Sequence, residues 1–150
     1  MTELTLDVSR GACACGRCTV RLALPSPLGE HTPRACDCDF CTARGVAYLS
    51  ARDAQITLDS TGGWHRERQG SGQAEFLSCA HCGELLAVVA PFDDGWRGAV
   101  NARRLDDQHL LAEAQAVSPK LLDASTKRSR WGTLWGRAEV TETTPAAGAS

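Results

Sequence analysis

The chain has 150 residues and a mass of 16.0 kDa, enough for one domain with a real core and short for two. Hydrophobic residues make up 43% and charged residues 23%, which argues against wholesale disorder. The net charge of −2 offers no basic field for nucleic acid or an anionic membrane.

In chain order, Thr19–Leu24 alternates with period two and stops at Pro25-Ser-Pro27, which predicts a strand. Further strands are predicted over Val46–Ala51, Gln55–Leu58, Trp64–Arg68, Ala74–Ser78, Glu84–Ala90 and Trp96–Asn101. They are short, and Gly-rich turns at Thr61-Gly-Gly63 and Gln69–Gln73 punctuate them. One helical turn is expected after Leu105-Asp-Asp107, where an Asp can cap. Trp131 and Trp135 read as a late packing element or a cleft wall, and Lys127–Arg130 as a solvated face. The expectation is a mainly β fold with little helix, one domain over residues 1–142, and a disordered tail over 143–150.

The compositional outlier is cysteine, eight in all. The N-terminal stretch has an early acid and no apolar centre, so it does not read as a secretory signal, and the run Leu85–Ala90 is too short to span a bilayer. A cytoplasmic location is therefore expected, where thiols stay reduced and clustered cysteines favour metal over disulfides.

The thiols form three clusters: Cys13-Ala-Cys15-Gly-Arg-Cys18, Cys36-Asp-Cys38-Asp-Phe-Cys41, and Cys79-Ala-His-Cys82-Gly83. The last reads as a zinc-knuckle turn, because a Gly after the second thiol permits the positive φ that turns amide N–H groups towards sulfur. A redox pair would want a helix to open there, and strand-like segments flank it instead. A knuckle supplies two ligands and a closed tetrahedral zinc needs four. The first two clusters share the spacing C-x-C-x-x-C, so either can complete the set. A remainder of three thiolates would leave an open coordination position for chemistry, whereas two closed four-cysteine sites would be purely structural. Iron also suits all-sulfur sites, although no cluster has a ferredoxin spacing. Among the histidines, His31 stands five residues before the second cluster as a possible fourth ligand. His81 is expected to be exposed in the knuckle, and His65 and His109 have no evident partner.

Gly11–Gly16, Cys36–Cys41 and Phe76–Gly83, in that order and separation, resemble the signature of the glutathione-dependent formaldehyde-activating enzyme family. Pro91-Phe-Asp-Asp and Val100–Asp107 are similar to its recurring segments, so the resemblance covers about residues 5 to 110. It implies a zinc-pinned β-tent of strongly twisted antiparallel sheets. It further implies a structural zinc on Cys13, Cys15, Cys79 and Cys82, and a second, open zinc on Cys36, Cys38 and Cys41. Cys18 falls outside the motif and is expected to pack as a buried strand thiol.

The implied activity is that of a carbon–sulfur lyase resembling S-(hydroxymethyl)glutathione synthase, whose partners are a thiol such as glutathione and a small aldehyde. Glutathione carries two carboxylates, and Arg34 and Arg44 flank the second cluster as candidates to receive them. The alternative is a non-catalytic zinc module on the same scaffold that binds a protein or nucleic acid. Neither the acidic balance nor the short basic cluster favours nucleic acid, no membrane contact is expected, and the sequence leaves oligomeric state open.

Overall fold

The computed structural model describes residues 7–36, 39–68, 73–111, 113–117 and 123–143. The fold is mainly β, as the alternation and short-strand pattern predict. Its strands are β1 (Asp7–Ala12), β2 (Cys18–Leu24), β3 (Arg34–Cys36), β4 (Tyr48–Leu49), β5 (Gln55–Thr61), β6 (Trp64–Arg68), β7 (Glu75–Cys79), β8 (Leu85–Phe92), β9 (Gly95–Asn101), β10 (Gln115–Val117) and β11 (Gly136–Thr143). Among the described residues two α-helices accompany them, α1 (Asp39–Arg44) and α2 (Ala124–Leu134).

The sheet runs β1-β2-β5-β11-β9-β4-β3-β10, and a branch leaves β9 through β8 and β7 to β6. Because β9 meets β11 and β4 along one path and β8 on the branch, the sheet divides there and its layers close over a common core. Most pairings are antiparallel. Two are parallel, β10 with β3 and β11 with β5, so the sheet is mixed.

The core follows from the patterns. On β2 the alternation buries Cys18, Val20, Leu22 and Leu24, and β5 answers with Ile56 and Leu58 on the same face. The continuous apolar run Leu85–Ala90 is buried throughout, because β8 is covered on both faces. A second cluster gathers Val88, Ala90, Ala99 and Trp135, with Tyr48, Phe76, Phe92 and Trp131 packed against it.

Some elements differ from expectation. Of Val46–Ala51 only Tyr48 and Leu49 pair. The turn near Asp107 is a single 3-10 turn over Gln108–Leu110, and the Asp107 side chain makes no capping bond. The Asn101 side chain instead caps the preceding 3-10 turn by accepting from the Arg103 N–H at 3.1 Å. β11 runs through Thr143; the predicted tail beyond it lies outside the described residues, as does most of the Gln69–Gln73 turn. No helix among the described residues is long and apolar enough to cross a membrane.

Candidate metal centre

The first knuckle hangs from the end of β1. Cys13 N–H donates to the Cys18 carbonyl at 3.0 Å, and Gly16 N–H donates to the Cys13 carbonyl at 3.0 Å. Gly16 turns the chain at φ 79°, a conformation that would strain a side chain. The second knuckle closes β7 onto β8. Cys79 N–H bonds to the Glu84 carbonyl and Gly83 N–H to the Cys79 carbonyl, each at 2.9 Å, with Gly83 at φ 81°. Both turns aim amides at sulfur. Cys18 N–H reaches Cys13 Sγ at 3.4 Å, and the N–H groups of His81 and Cys82 each reach Cys79 Sγ at 3.4 Å.

The Gly62-Gly63 corner between β5 and β6 brings the knuckles together. On one side Cys18 pairs with Ser60, and on the other Trp64 pairs with Cys79. The Gly63 carbonyl accepts from Ser60 Oγ at 2.9 Å and from the Ala80 N–H at 3.3 Å. Arg104 clamps the opposite side. Its Nε and one terminal nitrogen donate to the Ala12 carbonyl at 3.2 and 3.1 Å, and the guanidinium lies 3.4 Å from Glu84. One side chain thus ties the entry of the first knuckle to the exit of the second.

The result is four sulfurs, from Cys13, Cys15, Cys79 and Cys82, all within 4.8 Å of one another. Cys13 lies 3.4 Å from Cys15, and Cys15 lies 3.5 Å from Cys79. A tetrahedral zinc with bonds near 2.3 Å sets its sulfurs about 3.8 Å apart, so the cage has the right size. Cys13 and Cys79 are buried while Cys15 and Cys82 are exposed.

Electrostatics agree with a cation here. Burial opposes ionisation of Cys13, Cys79 and Cys82, yet the hydrogen bonds they receive outweigh it and hold all three below the ordinary thiol range. For Cys15 an N–H from Arg17 pulls the other way, but burial and the three neighbouring sulfurs push it up to about 12. A divalent ion bound by these four sulfurs would supply the positive charge that favours their thiolate forms. The four cysteines can therefore hold a metal ion, and it is the first cluster that completes the knuckle.

Cys18 is fully buried, as expected, with its thiol donating to Ser60 Oγ at 3.1 Å. Burial raises its pKa, the Ser60 hydroxyl opposes that, and the net result is about 12. His81 is exposed in the knuckle. His31 shares a hydrogen bond of 2.9 Å with Ser26 Oγ.

The second cluster crosses from strand to helix. Cys36 ends β3 and Cys41 lies within α1. Cys38 lies outside the described residues, as do the side chains of Cys36 and Arg44. Cys41 is buried, with its sulfur 3.3 Å from the Tyr48 hydroxyl. Arg34 is half-buried on β3. Its pKa is lowered by burial first and by the nearby charge of Arg130 second.

Sequence reasoning missed Ser60, Arg104 and Tyr48. The first two show no motif of their own, since pairing across distant strands creates their roles. The one tyrosine of the chain, seven residues after Cys41, was a signal that could have been read.

No protein-family model matches the chain, and no curated protein matches it. Among solved structures it is similar to a Rhodobacter sphaeroides protein determined as a structural-genomics target, with 20% identity over 89% of this chain and 99% of that one, at a TM-score of 0.47.

Proposed function

We propose that the chain is a zinc-dependent enzyme of carbon–sulfur bond chemistry, which joins a thiol such as glutathione to a small aldehyde, or releases the pair. The reacting site is the second cluster, with Cys36, Cys38 and Cys41 as its three thiolates. One observation carries this reading. The knuckle of Cys79 and Cys82 is completed by Cys13 and Cys15, so the second cluster is not needed to close it. Three thiolates clustered in sequence suit a metal with an open position, which a structural site has no use for. The family resemblance of the three motifs points the same way.

A zinc ion bound there would lower the pKa of an incoming thiol and orient its sulfur. The protein's own residues do the rest. The Tyr48 hydroxyl at 3.3 Å fixes the direction of the Cys41 sulfur. Arg34 and Arg44 attract the carboxylates of the thiol substrate. In the addition, the thiol sulfur bonds to the aldehyde carbon and the carbonyl π bond breaks. The thiol proton ends on the former carbonyl oxygen, and the reverse step returns both reactants. Nothing is oxidised or reduced.

The test combines metal analysis with exchange spectroscopy. The wild-type chain should carry a second zinc that the triple variant Cys36→Ser, Cys38→Ser, Cys41→Ser lacks, while both retain the first. Exchange between free and adduct forms of glutathione and formaldehyde should be accelerated by the wild type alone. Equal zinc content in both proteins, or acceleration that survives the triple substitution, would sink the reading.

A further inference from the structure

We propose that the groove between the β6–β7 hairpin and the second knuckle is a binding site for a small primary ammonium, received by the Ser78 hydroxyl, the Glu67 carboxylate and the Trp64 ring. The site adjoins the four-cysteine cage and is independent of the function proposed for the second cluster.

The groove has a volume of about 490 Å³ and opens to solvent, so it admits a ligand of small-molecule size. Its lining follows from strand register. His65 pairs with Ser78, and Glu67 with Phe76, across the β6–β7 hairpin, so His65, Glu67 and Ser78 stand on one face. The register of β7 against β8 shifts between Leu77 and Ser78, an irregularity of the kind that re-aims a side chain. His81 and Cys82 line the groove from the knuckle, and Trp64 lines it from the start of β6.

Ser78 is the residue that calls for a ligand. It is only 7% exposed, and among the described residues its hydroxyl makes no hydrogen bond. A buried hydroxyl without a partner is unfavourable, and a ligand in the groove that bonds to it removes that cost.

The sign of the ligand follows from the surrounding groups. Turns of this kind present amides to anions, yet here the amides from Ala80 to Gly83 are all committed. Ala80 N–H donates to the Gly63 carbonyl, His81 and Cys82 N–H to Cys79 Sγ, and Gly83 N–H to the Cys79 carbonyl. Among the described residues no lysine or arginine lines the groove. Arg66 and Arg68 alternate with its lining residues along β6 and pair with Glu75 at 3.0 and 3.8 Å. What the groove presents is therefore acceptors: the Glu67 carboxylate, the Ser78 oxygen, the Cys82 sulfur, and the imidazoles of His65 and His81 in their uncharged form. A divalent ion on four thiolates leaves the adjoining cage net negative, which favours the same sign of ligand. The Trp64 indole N–H is committed to the Thr141 carbonyl at 3.0 Å, so Trp64 offers the groove ring surface rather than a donor, and a ring face attracts an ammonium. A bare metal cation would meet too few oxygens here, whereas an ammonium carries three N–H donors to dispersed acceptors.

The experiment is an NMR titration of the zinc-loaded full chain with benzylammonium, benzyl alcohol and benzoate, which share a ring and differ in charge. Benzylammonium should shift the amide resonances of His65, Ser78, His81 and Cys82. It should bind about tenfold or more tightly than either other probe, the range of one charge-assisted hydrogen bond. Ser78→Ala should lose about tenfold in benzylammonium affinity and keep the wild-type melting temperature, because the hydroxyl it removes leaves no partner behind. Glu67→Gln should weaken benzylammonium and leave benzyl alcohol unchanged. The shifts should persist in the triple variant Cys36→Ser, Cys38→Ser, Cys41→Ser, which separates this site from an amine bound to a metal at the second cluster. Equal binding of the three probes, a preference for benzoate, shifts outside the groove, or their loss in the triple variant overturns the proposal. So does a Ser78→Ala protein that binds as wild type does, or one that melts more than about 4 °C lower, since the hydroxyl would then be structural. Failure of benzylammonium to bind at all overturns it equally.

Discussion

Removing a metal ion held by the four-cysteine cage should cost the fold a measurable and calculable amount. Cys15 and Cys79 are 64 residues apart in sequence, and a metal that joins them closes a loop of that size. Tying the ends of such a loop removes about 4 kcal/mol of denatured-state freedom in the chain-entropy treatment. For a chain of 150 residues that corresponds to roughly 8–16 °C in melting temperature. The cleanest perturbation is Cys82→Ala, because Cys82 is exposed and its truncation leaves no cavity, whereas Cys79 is buried and would confound the two effects. Scanning calorimetry of the metal-loaded wild type, the chelated wild type and Cys82→Ala should give one high transition and two lower ones. If Cys82→Ala keeps its metal and melts with the loaded wild type, the four sulfurs do not act as one ligand set. If the chelated protein melts within about 3 °C of the loaded one, the knuckles are held by Arg104 and the Gly63 corner alone, and the cross-link argument fails.

Four further outcomes follow from particular residues. Cys18 is fully buried with its thiol held near pKa 12, so iodoacetamide at pH 8 should spare it in the native protein and modify it only after unfolding; mass mapping of alkylated peptides reads this directly. A Cβ on Gly11 would sit 2.1 Å from the Arg104 carbonyl oxygen, so Gly11→Ala should destabilise by about 3 kcal/mol or more in urea unfolding. By contrast, a Cβ on Gly132 meets only the Phe92 ring at 3.5 Å, and Gly132→Ala within α2 should stabilise by about 0.5–1 kcal/mol. The Asp123 carboxylate, whose pKa is lowered chiefly by the Thr126 N–H, caps α2, so its contribution is present above the unfolded carboxylate pKa and is lost as pH falls through the folded one. Thermal melts from pH 6 to pH 3 should show wild type and Asp123→Ala converging at the acid end; a constant gap would refute the cap.

The strands legible in the sequence are those whose burial follows a simple period. β6 (Trp64–Arg68) has the predicted bounds, β2 extends the prediction by one residue, and the apolar run of β8 needed no alternation because both faces are covered. β1 was not legible, because its inward positions are Ser9 and Gly11 rather than apolar side chains. Gly11 is small because the chain at Arg104 and Leu105 crosses it, a contact no local window contains. Helix α2 was invisible for a different reason. Its apolar residues do not line one face, none of its side chains is fully buried, and it is anchored by a cap and two tryptophans rather than by an amphipathic stripe. The knuckle was legible at Cys79–Gly83 because its chemistry is local. Its completion by Cys13 and Cys15 was open from spacing alone, because the decisive contacts run through β2, β5 and the Gly62-Gly63 corner.

That corner also explains why a chain of this size concentrates thiols at one place. A core of this extent does not require a metal to fold, yet the two knuckles are turns at strand ends, rich in small residues and poor in apolar ones. Turn ends of this kind fray unless something ties them. Here three ties of different chemistry converge: the Gly63 carbonyl between Ser60 and Ala80, the Arg104 guanidinium between Ala12 and Glu84, and the four sulfurs themselves. The first two tie the same turn ends without using the sulfurs, so the sheet itself sets the two knuckles side by side. In the second cluster the buried Cys41 sulfur lies 3.3 Å from the Tyr48 hydroxyl. Under the proposed function the second set of thiols is the one left for chemistry, whereas the four-sulfur cage is tied into the sheet through the Gly63 carbonyl and the Arg104 guanidinium.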